Sequence, residues 1–263
     1  MGWLDAIARK APRDASVAER MAEAYDASSR GDYARALEIW GPLAQANVSR
    51  AQSNVGACFS EALGVERDMA LAAKWLTLAA ENGDAVGQRN LAALYFKGEG
   101  VEQDYARAME LYRSAAEQGD APAQDMLSWM LLEGEVAEPD SVAARTWAEK
   151  AAAQNIAPSM TRLGMIFHNA LGVERDAALA VEWWRRGAER GDADGQAMLG
   201  AAYHLGAAVE RDPLEAFVWL LRARAGGSAL SGQFFMAVRA ALTPEQIVEA
   251  EARAAASLPE PAA

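Results

Sequence analysis

Residues 62–72 have the sequence ALGVERDMALA, and residues 170–180 have the sequence ALGVERDAALA. Ten of the eleven residues are identical, although the two segments lie 108 residues apart. That separation is three times 36, and a 36-residue spacing also places an aspartate in register six times, with an alanine four residues after each one. A fixed period of this length is the sequence signature of a repeat protein. The aspartates are Asp32, Asp68, Asp104, Asp140, Asp176 and Asp212.

Each repeat has the pattern of two helices. In the clearest copy, apolar residues recur three and four residues apart at Ala108, Leu111, Tyr112 and Ala115, which is the spacing of one helix face. The repeated aspartate precedes this helix, where its carboxylate can accept hydrogen bonds from the first free backbone amides. Glycine or asparagine follows the helix, as is typical of a residue that ends a helix in the left-handed conformation. We therefore predict an all-α protein of antiparallel helix pairs.

The sequence of residues 91–121, LAALYFKGEGVEQDYARAMELYRSAAEQGDA, resembles the Sel-one-like repeat (SLR) family, a relative of the tetratricopeptide repeats. The resemblance implies a right-handed superhelical α-solenoid with 36-residue repeats, generally used as a protein-binding scaffold. It divides the chain into an N-terminal cap helix and half repeat (1–46), five repeats (47–226), C-terminal capping helices (227–258) and a disordered tail (259–263).

Composition argues against several classes of partner. The formal net charge is −12, and an acidic surface is repelled by nucleic acid and by anionic lipid. No apolar segment approaches the 18 residues of a membrane-spanning helix, so we expect no membrane insertion. The N-terminus lacks the apolar core and the cleavage site of a secretory signal, which favours a cytoplasmic location. We expect a monomer that binds another protein.

Motifs for catalysis are lacking in the sequence. It contains no phosphate-binding loop, no nucleophile elbow and no Cys/His zinc spacing. The single cysteine, Cys58, shares its register with apolar residues, so we interpret it as a small buried hydrophobe. His168 and His204 lie one repeat apart and are too few for a metal site. We predict a protein that is not an enzyme and has no catalytic residues, cofactor or metal.

One stripe of the first helices varies between repeats in a way that suggests a binding surface. If these helices lie as in tetratricopeptide repeats, the stripe lines the concave groove. Exposed apolar and aromatic groups mark interaction sites, whereas neighbouring helices or the C-terminal cap could instead cover them. The candidate partner-binding residues are Phe96, Trp129, Leu132 and Met165 for apolar contact, His168 and His204 beside them, and Arg89, Lys97, Asp125 and Glu133 for selection of charge.

The function that these patterns favour is a non-enzymatic scaffold or adaptor that binds a partner helix or an extended peptide in its groove. An alternative is a regulator or assembly factor for bacterial cell-envelope or signalling proteins, a role that the resemblance also suggests. A hydrolase is a remote alternative, because it would require a pocket with converging polar groups.

Overall fold

The computed structural model of the chain describes residues 16–134 and 138–258. Within these ranges it contains fourteen α-helices, one short 3₁₀ turn (Ala229–Ser231) and no β-strand, which confirms the predicted all-α class. The expected disordered tail (259–263), the first residues of the N-terminal cap (1–15) and residues 135–137 lie outside the described residues.

The helices alternate between two roles. The first helix of each repeat is α3 (Ser49–Glu61), α5 (Ala85–Lys97), α7 (Ala121–Glu133), α9 (Ala157–His168) or α11 (Ala193–Leu205). The second is α4 (Met69–Glu81), α6 (Tyr105–Glu117), α8 (Ser141–Ala153), α10 (Ala177–Glu189) or α12 (Pro213–Ala225). Two helices, α1 (Val17–Ser29) and α2 (Tyr33–Gln45), precede this series, and α13 (Gly232–Ala240) and α14 (Pro244–Ala255) follow it. Starts of equivalent helices are 36 residues apart, as predicted.

The repeated aspartates begin the second helices, as predicted. Asp68 Oδ1 accepts a hydrogen bond of 2.9 Å from the amide of Leu71, and the other five aspartates bond in the same way to an amide three residues further on. The predicted helix-ending residues adopt left-handed backbone conformations, with φ of 79° at Gly83 and 61° at Asn47. These local interactions define both ends of the second helix.

The repeated alanines allow close packing within a helix pair. All six alanines of this register are fully buried, including Ala180. The backbone oxygen of Ala180 lies so close to Gly164 on α9 that an added Cβ would be 2.9 Å from it. The same Cβ would lie 2.3 Å from the ring of Trp184. Trp184 is therefore buried in the core of this repeat. Trp183 shares the 36-residue register of Trp75 and Trp219, which predicts a core residue at this position, but it is only half-buried.

The chain forms two compact units. The N-terminal unit extends to Ala123, and the C-terminal unit begins at Gln124, within α7. A core cluster around Leu37, Trp40 and Val55 joins α1 to α4 in the N-terminal unit. In the C-terminal unit, Phe217 and Val238 belong to a cluster that packs α13 and α14 against α12.

Candidate functional site

The first helices α3 and α5 contact each other in the N-terminal unit, and they leave a cavity between them. Its volume is about 210 Å³, and its walls include Ala57, Ser60 and Ala93. By the 36-residue spacing, Ser60 shares the register of Phe96, and Ala57 and Ala93 share the register of Trp129, so all three belong to the variable stripe of the first helices. Because their side chains are small, the stripe is concave here. Asn90 and Lys97 contribute polar groups to the same cavity.

Phe96 and Lys97 lie at the end of α5. The ring of Phe96 is half-buried and packs edge-to-face against Tyr105, with ring centroids 5.1 Å apart and an interplanar angle of 65°. Its carbonyl oxygen accepts a hydrogen bond of 2.9 Å from the side-chain amide of Gln103. Lys97 is exposed. Tyr105, the first residue of α6, thus packs against the aromatic ring, while the neighbouring ammonium group of Lys97 remains in solvent.

Arg89 contacts a neighbouring repeat within the N-terminal unit. Its Nη1 donates to Asp120 Oδ2 over 3.0 Å, and the Asp120 side chain is only 8% exposed. Asp120 also caps α7, because its Oδ1 accepts a hydrogen bond from the amide of Ala123. The guanidinium of Arg89 is therefore engaged in holding α5 and the start of α7 together.

The C-terminal unit has larger residues on the equivalent stripe. Trp129 and Leu132 on α7 are half-buried, and Leu132 packs against the core cluster of Leu163 and Ile166. Met165 on α9 is 36% exposed. This unit therefore presents apolar and aromatic surface where the N-terminal unit presents a cavity.

The two acidic candidates of α7 have different surroundings. Asp125 Oδ1 accepts hydrogen bonds from Ser159 Oγ and Arg162 Nη1, and the carboxylate is 16% exposed. This carboxylate therefore joins α7 to α9. Glu133, at the end of α7, is exposed.

Both histidines pack against aromatic rings. The ring of His168 lies 5.2 Å from that of Trp184, and the ring of His204 lies 5.4 Å from that of Phe234 on α13. The C-terminal cap thus covers part of His204, the arrangement that the sequence left open as an alternative. In residues 16–134 and 138–258, no cluster of three or more His, Cys, Asp and Glu side chains could hold a metal ion.

The structure also shows a set of contacts that sequence reasoning missed. Asp84 and Asp192 cap first helices and bond to a hydroxyl group of the preceding first helix, Ser53 Oγ at 2.6 Å and Thr161 Oγ1 at 2.6 Å. Arg50 donates to Asp84 as well, over 2.7 Å. The signal was present in the sequence, because Asp84, Asp120 and Asp192 share one 36-residue register.

Cys58 is buried at 2% exposure among core residues of the N-terminal unit. Burial raises the pKa of its thiol to about 12. A thiol with such a pKa is protonated at neutral pH, and the thiolate is the nucleophilic form. Cys58 therefore lacks the electropositive and accessible surroundings of a catalytic cysteine, in agreement with its interpretation as a core residue.

Comparison with known families shows where the repeats lie. The family model described as Sel1 repeat matches five consecutive segments, residues 49–84, 85–120, 121–156, 157–192 and 193–228. No curated protein matches the chain.

No helix of the described segments is both long enough and apolar enough to span a bilayer.

Solved structures of similar fold include a Sel1 repeat protein from Oxalobacter formigenes, which is 25% identical. The alignment covers 92% of this chain and 99% of that chain, with a TM-score of 0.80. The protective antigen c5321 of uropathogenic Escherichia coli, which displays an SLR fold, is 24% identical over 89% of this chain and 67% of its own, with a TM-score of 0.45. A sel1 repeat protein from Klebsiella pneumoniae subsp. pneumoniae is 20% identical over 76% of this chain and 97% of its own, with a TM-score of 0.49.

Proposed function

Because this chain belongs to the Sel1 repeat family, whose fold is generally a protein-interaction scaffold, we propose that it binds a partner protein through the exposed face of its first helices. The partner contributes a helix or an extended segment. The family is typically non-catalytic, and the proposed role requires no chemistry beyond non-covalent recognition.

The observation that carries this proposal is the cavity between α3 and α5. Ala57, Ser60 and Ala93 leave about 210 Å³ open on a face where repeats pack side by side. Apolar side chains that fill a desolvated pocket are the usual anchors of protein interfaces. We therefore propose that one apolar side chain of the partner enters this cavity.

Apolar surface in the C-terminal unit supports a second contact of the same kind. Trp129 and Met165 lie on first helices, and Met165 is 36% exposed. Methionine adapts its shape to different partners, and tryptophan is enriched among residues that dominate binding energy. We propose that these two residues contact the partner, with Leu132 supporting them from the core.

Charge selection is assigned to fewer residues than the sequence proposed. Arg89 and Asp125 already pair with Asp120 and Arg162, so their charges are largely compensated within the protein. Lys97 and Glu133 are exposed at the ends of their helices. We propose that these two exposed charges influence the choice of partner, whereas Arg89 and Asp125 act by holding neighbouring first helices together.

The experiment that tests the proposal fills the cavity by one substitution. Ala93→Trp places in α5 the residue that α7 carries in the same register at Trp129, so the helix backbone accommodates it. We expect capture of partner proteins from native extract to fall at least tenfold, because the incoming side chain occupies the volume available to the partner. The matched control is Leu78→Ala, which removes a 41% exposed apolar side chain from a second helix.

Equal capture by Ala93→Trp and the wild-type protein, with both folded by circular dichroism, would refute the assignment of the cavity. A loss of capture in the Leu78→Ala control would place the interaction on the second helices instead. The variant Trp129→Ala tests the C-terminal unit in the same assay, and we expect a weaker but measurable loss.

A further inference from the structure

Within the described residues, α13 has no second helix packed against it. Residues 229–240, which contain α13, occupy the 36-residue register of the first helix α11, so they take the place of the first helix of a sixth repeat. The first helix α11 packs against its own second helix α12, and α9 packs against α10 in the same way. By contrast, α13 and α14 both pack against α12 instead of forming a pair with each other. The sixth repeat is therefore incomplete in the part of the chain that the structure describes.

In the complete repeats, one position of the first helix contacts the second helix closely. A Cβ added at Gly164 on α9 would lie 2.3 Å from the ring of Trp184. A Cβ added at Gly200 on α11 would lie 2.9 Å from Cγ of Leu220. Both contacted residues belong to the second helix of the same repeat. Met236 has this position on α13, and it is 69% exposed. The face of α13 that would meet a second helix is therefore open to solvent.

Two further residues share this face of α13, because residues three or four apart lie on the same side of a helix. Gly232 precedes Met236 by four residues, and a Cβ added to it would have no contact within 4 Å outside the neighbouring backbone. Arg239 follows Met236 by three residues and is exposed. Phe235 and Val238 lie to one side of these residues, in the cluster that packs α13 against α12. Gly232, Met236 and Arg239 together form the open face of α13.

The surroundings of Arg239 are positively charged. Residues 216–244 contain three arginines and no aspartate or glutamate, whereas the whole chain has a net charge of −12. Arg224 of this stretch stacks over the ring of Phe235, with its Cζ 4.8 Å from the ring centre. Neither Arg224 nor Arg239 pairs with a carboxylate in the described segments of the chain. Since opposite charges attract, the open face favours a partner that carries an acidic group.

The complete repeats show what a helix in this place brings to Arg239. By the 36-residue spacing, Arg239 shares the register of Tyr95 and Tyr203. The carbonyl oxygen of Tyr95 accepts a hydrogen bond of 3.0 Å from the amide of Asp104, and that of Tyr203 accepts one of 3.1 Å from the amide of Asp212. These aspartates cap the second helices. A helix that occupied the open face in the same way would therefore place its own N-terminal cap beside Arg239.

We propose that the open face of α13 binds a helix of another protein that begins with an aspartate cap and completes the sixth repeat. Small and apolar residues of this helix pack against Met236, and the carboxylate of its cap pairs with Arg239. An amphipathic helix laid against an apolar surface is a common mode of recognition between proteins. The residues of the open face belong to other registers than the variable stripe of the first helices, so this interaction is independent of the proposed function.

The test uses fluorescence anisotropy with the full-length chain and a labelled synthetic peptide of residues 104–117. This peptide is the second helix of the clearest repeat together with its aspartate cap. We expect saturable binding, and we expect Met236→Glu to weaken it about tenfold, because the variant places a charge among the apolar contacts. The matched control is Met165→Glu, which changes an exposed methionine of the variable stripe and should bind the peptide as the wild-type protein does.

A second peptide, with the change Asp104→Asn, isolates the ion pair. Asparagine caps a helix about as well as aspartate does, so this peptide keeps its helix start and loses only the charge. We expect it to bind the wild-type protein several-fold more weakly than the unchanged peptide. With the variant Arg239→Gln the two peptides should bind equally. Equal binding of both peptides to the wild-type protein would overturn the pairing of the cap with Arg239.

Three outcomes would overturn the proposal as a whole. The first is the absence of saturable binding of the unchanged peptide. The second is a loss of binding in Met165→Glu with normal binding in Met236→Glu, which would place the peptide on the variable stripe instead. The third is a dimer of the wild-type protein in sedimentation velocity that Met236→Glu converts to a monomer, since this would assign the open face to a second copy of the chain.

Discussion

Replacement of Asp84 by alanine tests whether the contacts between neighbouring first helices stabilise the N-terminal unit more than the contacts within a repeat. Asp84 is 8% exposed and accepts three hydrogen bonds, from the amide of Gly87 at 2.8 Å, from Ser53 Oγ at 2.6 Å and from Arg50 Nε at 2.7 Å. Asp68, the corresponding cap of the second helix, is exposed and accepts one such bond, from the amide of Leu71.

The expected costs follow from these contacts. Loss of a helix cap costs about 1 kcal/mol, and this is the whole effect expected for Asp68→Ala. Asp84→Ala also removes the hydrogen bond of a charged group to the fully buried Ser53, which is worth about 1.5–3 kcal/mol. The ion pair with Arg50 adds at most about 1 kcal/mol, because the arginine side chain is 45% exposed. We therefore expect a total loss of about 2.5–5 kcal/mol for Asp84→Ala.

The free energy of unfolding of both variants, measured by urea denaturation, checks this difference. The double variant Ser53→Ala, Asp84→Ala should recover part of the loss, because it no longer leaves a buried hydroxyl without its acceptor. Equal destabilisation by Asp84→Ala and Asp68→Ala would refute the reasoning that the connection between repeats depends on this buried carboxylate.

Three further predictions concern the core residues Gly164 and Cys58. Gly164→Ala should lower the free energy of unfolding by about 1–3 kcal/mol by crowding Trp184, although alanine favours helix by about 1 kcal/mol. Adding Trp184→Tyr should restore part of the lost stability in calorimetry, because the second repeat combines Ala92 with Tyr112 at the equivalent positions. A Gly164→Ala variant as stable as the wild-type protein would contradict the close packing. Cys58 should react with iodoacetamide at pH 8 only in urea, because burial raises the pKa of its thiol from 9.0 to about 12 in the folded protein. Rapid alkylation of the folded protein would contradict the burial of Cys58. For the same reason, its contribution to stability should be present below pH 9 and decline as the pH rises from 9 towards 12.

The repeat period and the local helix signals were accessible from the sequence because they depend on interactions within a few residues. A carboxylate directly before a helix can reach only nearby amides, so the aspartate register predicted the start of α2 and the starts of all five second helices. The burial of Trp184 in place of Trp183 was not predictable in this way. It depends on the space above Gly164 on another helix, and that space follows from tertiary packing.

The candidate site shows the same limit. The stripe of Ser60, Phe96 and their equivalents was predictable as a register, but whether each side chain is free depends on partners at other positions. Arg89 and Asp125 have long-range partners, 31 and 37 residues away in Asp120 and Arg162. The cavity beside Ala93 is visible in the sequence only as small residues where other repeats carry large ones. Sequence reasoning therefore located the surface more readily than the residues available for binding.

The most direct test of partner binding by the first-helix face is site-specific photo-crosslinking in native extract. A benzophenone amino acid would replace Ser60 on α3 or Met165 on α9, and in the controls it would replace Leu78 on α4 or Val142 on α8. The controls are exposed residues of second helices. We predict that the first-helix positions form a covalent adduct with a common partner and that the second-helix positions do not. Adducts of equal yield at all four positions, or adducts from the second helices alone, would contradict the account.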